Sequence, residues 1–207
     1  MSVRERASGA VRFFKRGFED FDTTASFVPS SRWLVEAMIA HVPLGAECVV
    51  EFGSGTGTLT REILARMSPH GKLYAVELDS SLLEGSVRSV NDPRMIPIFG
   101  SAVDTAQLVP PEVVGNAQAV VSSLGLSLMP EEIRVGIMQA ARDLLAPGAY
   151  FTQYAYLHAR WFAYSPARKQ WFRWNAMPFM RAHWPRLAHT MVWPNVPPAL
   201  VFSARNA

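Results

Sequence analysis

Short apolar runs alternate with segments of helical periodicity along most of the chain. The runs have the length of buried strands, and the segments between them repeat apolar residues at spacings of three and four, as helices packed on a sheet do. Strands that alternate with helices over short connections predict a parallel sheet covered on both faces. The predicted strands are 48–52, 73–78, 95–99, 119–124 and 150–156, and the predicted helices are 58–67, 80–90 and 131–145, after a first helix that Ser30 or Ser31 caps and that ends near His41.

Two parts of the chain depart from this alternation. Residues 188–204 are typical of two strands around the turn sequence PNVPP, which would close the sheet with an antiparallel strand. Residues 158–187 have no clean period, because three prolines divide them into short helices or loops. We therefore expect one α/β domain over residues 27–207, in which 158–187 form an insertion on the substrate and membrane side.

The first 21 residues predict a basic amphipathic helix. Apolar residues recur there at spacings of three and four, and five arginine and lysine side chains occupy the remaining surface. Such a helix either lies on a membrane surface or packs on the protein's own core. We interpret residues 1–26 as a membrane-association segment and keep the docked helix as the alternative.

Composition and charge narrow the classes of function. A chain of 207 residues with 49% hydrophobic and 18% charged residues can bury a full core, which excludes a disordered chain. Seven arginine and lysine residues and five of the six tryptophans follow Asp143, whereas no acidic residue does. This asymmetry favours an anionic partner, either a membrane surface or a nucleic acid. Because no apolar run is long enough to span a membrane and no signal peptide is evident, we expect a cytoplasmic protein that is peripheral on the inner face of the membrane.

A glycine-rich turn follows the first predicted strand, in the sequence VVEFGSGTGTLT. Gly53, Gly55 and Gly57 permit a tight turn and let backbone N–H groups approach a ligand at the start of the next helix. Glu77 follows 20 residues after Gly57, at the end of the second strand. A carboxylate there can accept hydrogen bonds from both hydroxyls of a ribose. Together the turn and Glu77 predict a binding site for a nucleoside cofactor.

The spacing G-x-G-x-G, with Glu51 two places before the first glycine, resembles motif I of class I S-adenosylmethionine-dependent methyltransferases. The resemblance implies a Rossmann-like α/β fold with a mostly parallel seven-stranded sheet and an antiparallel C-terminal strand. It implies S-adenosyl-L-methionine as the cofactor and no metal. In that family the glycine turn lies beside the methionyl part, Glu77 holds the ribose, and the segment after the third strand flanks the adenine. The implied cofactor-binding residues are Glu51, Gly53, Ser54, Gly55, Gly57, Glu77, Leu78, Ser101, Ala102, Ser122, Ser123 and Ser31.

Two subfamilies share this turn closely, the ribosomal RNA adenine dimethyltransferases and the bacterial phospholipid N-methyltransferases. The RNA enzymes carry an N-L-P-Y type motif after the fourth strand, where this chain has SSLGLSLMP, without an Asn or an aromatic residue. The segments FVPSSRWLVEAM, FTQYAY and PNVPPALVF are similar to segments of the phospholipid enzymes. This resemblance implies successive N-methylation of phosphatidylethanolamine towards phosphatidylcholine. An N-methyltransferase of an amino-acid-containing lipid and an RNA adenine N-methyltransferase are the alternatives.

Candidate catalytic residues lie at the end of the fifth predicted strand. Successive methylation of an amine ends at a quaternary ammonium, which favours aromatic faces around the nitrogen. Tyr156 is the first candidate for that contact, Tyr154 and Trp161 follow it, and His158 is the candidate base. Each of these can instead be an ordinary core or surface side chain. The expected partners are an anionic membrane surface and a phospholipid substrate, with no nucleic acid and no obligate protein partner.

Overall fold

The computed structural model describes residues 31–161, 163–165 and 170–207. The predicted amphipathic segment, residues 1–26, lies outside the described residues. The strands are β1 (Ala46–Phe52), β2 (Met67–Glu77), β3 (Met95–Phe99), β4 (Ala117–Ser122), β5 (Leu145–Tyr156), β6 (Ala163–Ser165), β7 (Gln170–Phe172), β8 (Leu187–Val192) and β9 (Ala199–Arg205). The helices are α1 (Arg32–Ile39), α2 (Thr58–Arg66), α3 (Ser80–Val90), α4 (Thr105–Leu108), α5 (Glu131–Leu144) and α6 (Ala176–His183).

Seven of these strands form one sheet in the order β3-β2-β1-β4-β5-β9-β8. The first five strands are parallel, and β9 runs antiparallel between β5 and β8. The strand order reverses at β1, which lies between β2 and β4. The predicted fold class, a Rossmann-like sheet with an antiparallel C-terminal strand, is confirmed.

One edge of the sheet collects the carboxyl ends of β1 to β5, and we call it the carboxyl edge. The antiparallel strands reach the same edge, because Tyr156 near the end of β5 pairs with Ala199 of β9, which in turn pairs with Val192 of β8. The loop between β8 and β9 therefore lies at the carboxyl edge too. The turns that follow β1, β2, β3 and β4 are its neighbours.

Each face of the sheet carries its own buried cluster. On one face, α1 and α2 pack their apolar sides on the sheet through residues such as Leu34, Met38 and Ile63. On the other face, α5 and α6 cover Phe151 and Phe202. Apolar cover on both faces is what a parallel sheet requires, and it explains why the strands read as continuous apolar runs.

Some predicted boundaries were wrong where pairing is irregular. Strand β2 begins at Met67 instead of residue 73, because Met67 pairs with Ala46 ahead of a bulge in a stretch that is mostly exposed and lacks an apolar run. Strand β5 likewise begins at Leu145, before the left-handed Gly148. The segment 158–187 holds the β6–β7 hairpin and α6 within its described part. Across the described ranges, no helix has the length and hydropathy needed to cross a membrane.

Candidate functional site: the cofactor turn and the aromatic strand end

The glycine turn between β1 and α2 uses left-handed backbone at three positions. Gly53, Gly55 and Gly57 have φ angles of 82°, 49° and 81°. A Cβ on Gly57 would lie 2.6 Å from Val90 Cγ2, so this glycine is required by packing against α3. A Cβ on Gly55 would meet nothing within 4 Å, so the space beside this residue is open. The turn is therefore closed on the α3 side and open where a ligand would approach.

The carboxylate of Glu77 is fixed at the end of β2 by three backbone N–H groups. Its Oε1 accepts hydrogen bonds from Leu78 N at 2.9 Å and Asp79 N at 3.1 Å. Its Oε2 accepts from Gly55 N at 3.1 Å, which joins the carboxylate to the glycine turn. A carboxylate has about four acceptor positions, so about one remains for a ribose hydroxyl. A second hydroxyl would have to replace one of the amide donors.

Glu51 is a buried carboxyl group below the turn. Its Oε2 accepts a hydrogen bond from Thr60 Oγ1 of α2 at 2.7 Å, and its Oε1 has no hydrogen-bond partner in the described part of the chain. Burial raises the pKa of Glu51 to about 8, and the nearby charge of Glu77 adds to the rise while the Thr60 bond opposes it. The group is therefore largely protonated at neutral pH.

The segment after β3 forms the expected adenine side. Ser101 Oγ accepts from Val103 N at 3.3 Å and thereby caps the short helical turn that contains Ala102. Gly100 N donates to Glu77 O at 3.0 Å, which ties this segment to the end of β2. The exposed ring of Phe99 lies directly before it, and sequence reasoning missed this side chain.

The loop after β4 lies against the glycine turn. Ser123 Oγ donates to Gly53 O at 2.6 Å, and Ser123 N donates to Phe52 O at 3.0 Å. A Cβ on Gly53 would lie 3.0 Å from Leu124 Cδ2, so the two segments are in close contact. Ser122 is fully buried at the end of β4. The predicted transfer side is thus joined directly to the predicted methionyl side.

Gln153 of β5 is a functional candidate that sequence reasoning missed. The side chain is 1% exposed, and its Nε2 donates to Leu124 O at 2.9 Å and to Tyr154 O at 2.7 Å. Its Oε1 has no hydrogen-bond partner among the residues described. The signal in the sequence is a long polar side chain inside a buried strand, which requires a specific partner. Gln153 holds the loop after β4 in place.

Three of the candidate catalytic side chains lie side by side at the end of β5. The rings of Tyr154 and Tyr156 meet edge to face with centroids 5.2 Å apart, and His158 stacks on Tyr156 at 5.6 Å. Both tyrosines adjoin the cluster beneath α1. Burial raises the pKa of Tyr154, so its hydroxyl stays protonated, and burial lowers the pKa of His158, which favours the neutral imidazole.

Ser31 is occupied as the cap of α1. Its Oγ accepts from Leu34 N at 3.3 Å, and its backbone N donates to Asn195 Oδ1 at 3.1 Å. Asn195 is buried and also donates from Nδ2 to Pro197 O at 2.8 Å. This contact, which sequence reasoning missed, anchors the start of α1 to the β8–β9 loop. A role of Ser31 towards a cofactor stays a prediction.

Polar atoms with no partner within the described ranges collect around this turn. They are Glu51 Oε1, Ser54 Oγ and Ser122 Oγ, and all three are buried. Buried polar atoms require partners, and a ligand that carries an amino acid and a ribose offers them. With the open space at Gly55 and the carboxylate of Glu77, these residues fit S-adenosylmethionine.

This strand order, with a glycine turn after β1 and a carboxylate at the end of β2, defines a class I S-adenosylmethionine-dependent methyltransferase. No protein-family model matches the chain. The chain is 31% identical over 146 residues to ornithine lipid N-methyltransferase of Singulisphaera acidiphila, covering 69% of this chain and 73% of that protein. The chain therefore belongs to the methyltransferase family of that enzyme, and S-adenosylmethionine is its methyl donor.

Two further comparisons extend this result. Ribosomal RNA small subunit methyltransferase A of a Burkholderia species is 30% identical over 132 residues, which are 56% of this chain and 47% of that protein. The crystal structure of 1,6-didemethyltoxoflavin-N1-methyltransferase of Burkholderia thailandensis, with bound S-adenosylhomocysteine, covers 100% of this chain and 91% of its own, with a TM-score of 0.70. At 16% identity the latter shows a shared fold.

Replacement of Gly55 by alanine tests the open side of the turn. We expect Gly55→Ala to lower the affinity for S-adenosylmethionine tenfold or more, about 1.4 kcal/mol, because a methyl group enters the space beside the turn. Gly45 is the matched control, since it also has positive φ and also has nothing within 4 Å of an added Cβ. Both variants should lose about 1–2 kcal/mol of stability. Titration calorimetry should find weaker binding for Gly55→Ala alone; equal binding by both variants would contradict the assignment.

Glu51 predicts a pH dependence of stability. Its pKa is about 8 in the folded protein and near 4.5 when unfolded, so its contribution is complete below about pH 4.5 and is lost as the pH rises towards 8. Glu51→Gln keeps an oxygen for Thr60 and cannot ionise. In urea titrations without cofactor, the stability of the wild type relative to Glu51→Gln should fall over this interval. A difference that is the same at every pH would refute the buried neutral carboxyl.

Gln153 predicts a second pH effect, on cofactor binding. A protonated Glu at this position can still donate to Leu124 O, whereas an ionised one faces carbonyl oxygens. The ratio of the Kd of Gln153→Glu to that of the wild type should therefore rise with pH. Gln153→Met lacks the donor at every pH and should give a constant, elevated ratio. If both ratios stay at one, Gln153 does not hold the loop for cofactor binding.

Proposed function

We propose that this chain transfers methyl groups from S-adenosylmethionine to the amine of an amino-acid-containing lipid, with ornithine lipid as the first candidate. The observation that carries the proposal is the 31% identity to an ornithine lipid N-methyltransferase over 73% of that protein. This relative supports the amino-acid lipid alternative over phosphatidylethanolamine, which the sequence motifs had placed first. Phosphatidylethanolamine remains the second candidate, because it also presents an amine at the bilayer surface.

The residues at the carboxyl edge suit this reaction. When bound, S-adenosylmethionine supplies a methyl group that its positively charged sulfur already activates. The chain has to hold the cofactor against the glycine turn and Glu77, exclude water, and bring a neutral amine in line with the methyl group. Before each transfer the ammonium form of the amine would lose one proton, and the new N–C bond would then form as the S–C bond breaks. The neutral imidazole of His158 is the candidate acceptor of that proton.

The aromatic pair at the end of β5 suits the product. Each transfer makes the nitrogen more substituted, and a quaternary ammonium can no longer donate hydrogen bonds. The faces of Tyr154 and Tyr156 attract such a cation without needing a hydrogen bond. The pair therefore favours a substrate that is methylated more than once.

The RNA alternative has less support. The RNA methyltransferase relative is matched over 47% of its length, and the end of β4 and the loop after it contain Ser122, Ser123 and Leu124 without an Asn or an aromatic side chain. A flipped base is usually held by stacking and by hydrogen bonds to its edge, which such a loop supplies poorly.

We also propose that the protein associates peripherally with the cytoplasmic face of an anionic membrane. The basic pattern of the first 21 residues and the basic, tryptophan-rich C-terminal part support this location. A lipid-modifying enzyme has to reach the head group at the interface. No obligate protein partner is part of the proposal.

Labelled S-adenosylmethionine and the full chain test the substrate class. Separate incubations would contain anionic vesicles with ornithine lipid, the same vesicles with phosphatidylethanolamine, and unmodified ribosomal RNA. We expect label in ornithine lipid at a rate at least about tenfold above phosphatidylethanolamine, and none in RNA. Label in RNA alone would overturn the proposal, and faster labelling of phosphatidylethanolamine would replace ornithine lipid by the second candidate.

Variants of Tyr156, studied in the same assay, test whether this side chain contacts the methylated ammonium group. Tyr156→Phe keeps the aromatic face and should retain multiple methylation, whereas Tyr156→Ala should accumulate the less methylated products, as read by mass spectrometry. Identical product distributions for both variants would exclude Tyr156 from the ammonium site.

A further inference from the structure

We propose that one half of the carboxyl edge is the surface through which this protein docks on an anionic phospholipid bilayer. This surface, which we call the tryptophan surface, belongs to the part of the molecule built by α1, β5, β9 and β8. The inference rests on the proposed lipid substrate and adds to it which side of the fold faces the membrane. The exposed apolar residues of the tryptophan surface are Trp33, Trp161, Trp171, Trp193 and Val196.

The topology brings these residues to a single edge. Trp193 and Val196 lie in the loop between β8 and β9, at the level of the pair Tyr156 and Ala199. Trp33 lies in the first turn of α1, whose cap residue is hydrogen-bonded to Asn195 of that same loop. Segments remote in sequence therefore meet at the β8–β9 loop.

The remaining tryptophans follow β5. Trp161 comes directly after the short helical turn Leu157–Arg160, which continues from the end of β5. Trp171 belongs to β7, and the chain after β7 is tied to that turn by a hydrogen bond from Trp174 N to Ala159 O at 2.9 Å. The side chains of Trp171 and Trp193 are 71% and 66% exposed. Large apolar rings gathered at one edge of a soluble fold indicate an interaction surface.

Charge complementarity identifies the occupant as an anionic bilayer. The guanidinium of Arg32 lies 4.2 Å from the Trp33 ring centroid and that of Arg160 lies 5.9 Å from the Trp161 centroid. Arg173, next to β7, is exposed as well. Tryptophan and arginine together are the side chains that favour the head-group region, where the rings enter the interface and the cations meet lipid phosphates.

Among the residues that the structure describes, the carboxylates of the carboxyl edge lie away from the tryptophan surface. Asp79, Asp104, Glu131 and Glu132 follow β2, β3 and β4, on the cofactor half of the edge. Residues 144–207 contain no Asp or Glu. Glu36 of α1 is about one helical turn further from the edge than Arg32. An anionic surface therefore meets cations on the tryptophan surface and would be repelled by the cofactor half.

Docking in this orientation places the aromatic pair of β5 beside the bilayer. Tyr154 and Tyr156 lie at the end of the strand that leads into Trp161. A lipid amine could then reach the pair while its acyl chains stay in the membrane. The orientation also explains why the apolar rings can remain exposed in the unbound protein.

Vesicle binding by the full chain tests the surface. The vesicles contain equal parts of phosphatidylglycerol and phosphatidylcholine, and the variants are Trp171→Ala/Trp193→Ala and Leu44→Ala. Leu44 is the matched control, because it is 80% exposed in the connection between α1 and β1 at the opposite edge of the sheet. We expect the double variant to lower the partition coefficient about tenfold or more, and Leu44→Ala to leave it unchanged. Brominated lipids should quench tryptophan fluorescence in the wild type more than in the double variant.

Two readouts separate this inference from the proposed function. Methylation of ornithine lipid dispersed in detergent micelles should be the same for the double variant and the wild type, since the substituted residues bind the bilayer and leave the reacting groups intact. If the wild type binds vesicles through this surface and methylates no lipid amine, the docking surface stands and the proposed function fails.

Equal vesicle binding by the wild type and the double variant, or vesicle binding by neither, would overturn the docking surface whatever the substrate. Binding of ribosomal RNA in place of vesicles by the wild type, weakened in the double variant, would assign the surface to RNA and overturn it too.

Discussion

The turn from Gly53 to Gly57 is held between the ends of β2 and β4, the strands on either side of β1, and the site is organised around that constraint. Gly53 N donates to Val76 O of β2, and Gly53 O accepts from Ser123 Oγ after β4. These bonds fix the turn at the point where the strand order reverses, where the connections from β1 and β4 leave the sheet on opposite faces and open a crevice. Glu77 completes the arrangement by accepting from Gly55 N. The glycine turn, the carboxylate of Glu77 and the loop after β4 therefore form one connected unit.

That unit contains buried polar groups, and the protein supplies hydrogen-bond partners to only some of their atoms. Glu51 keeps one oxygen bonded to Thr60 and remains largely protonated, because burial disfavours its charge. Ser54 and Ser122 are buried, and their hydroxyl groups have no hydrogen-bond partner among the described residues. Each such group costs about 1–3 kcal/mol relative to a satisfied one. Their concentration around one turn is the pattern of a site whose stability is completed by its ligand.

The fold was largely predictable, because each strand from β1 to β5 carries an apolar run and each helix between them an apolar stripe. The glycine turn and Glu77 were predictable for a similar reason, since their chemistry depends on spacing within one βαβ unit. Other features depend on contacts between distant segments. Gln153 holds Leu124, and Asn195 holds Ser31 over 164 positions, so neither role has a local signature. The first part of β2 was missed because a bulge and mostly exposed side chains remove its apolar run.

The distribution of charge now has a structural meaning. Residues 31–143 carry 8 basic and 13 acidic side chains, and residues 144–207 carry 7 basic and none acidic. The first group builds β1 to β4 and the glycine turn, where nearby carboxylates would favour the cationic sulfonium of the cofactor. The second builds β5, β9, β8 and most of the tryptophan surface, which in the proposed orientation approaches lipid phosphates. Because β1 and β5 are both neighbours of β4, these two electrostatic tasks meet at the strand end where Gln153 touches the loop after β4. In the proposed orientation, a methyl group carried on a cation and an amine carried by an anionic bilayer would meet there, and neither partner would cross a region that carries its own sign of charge.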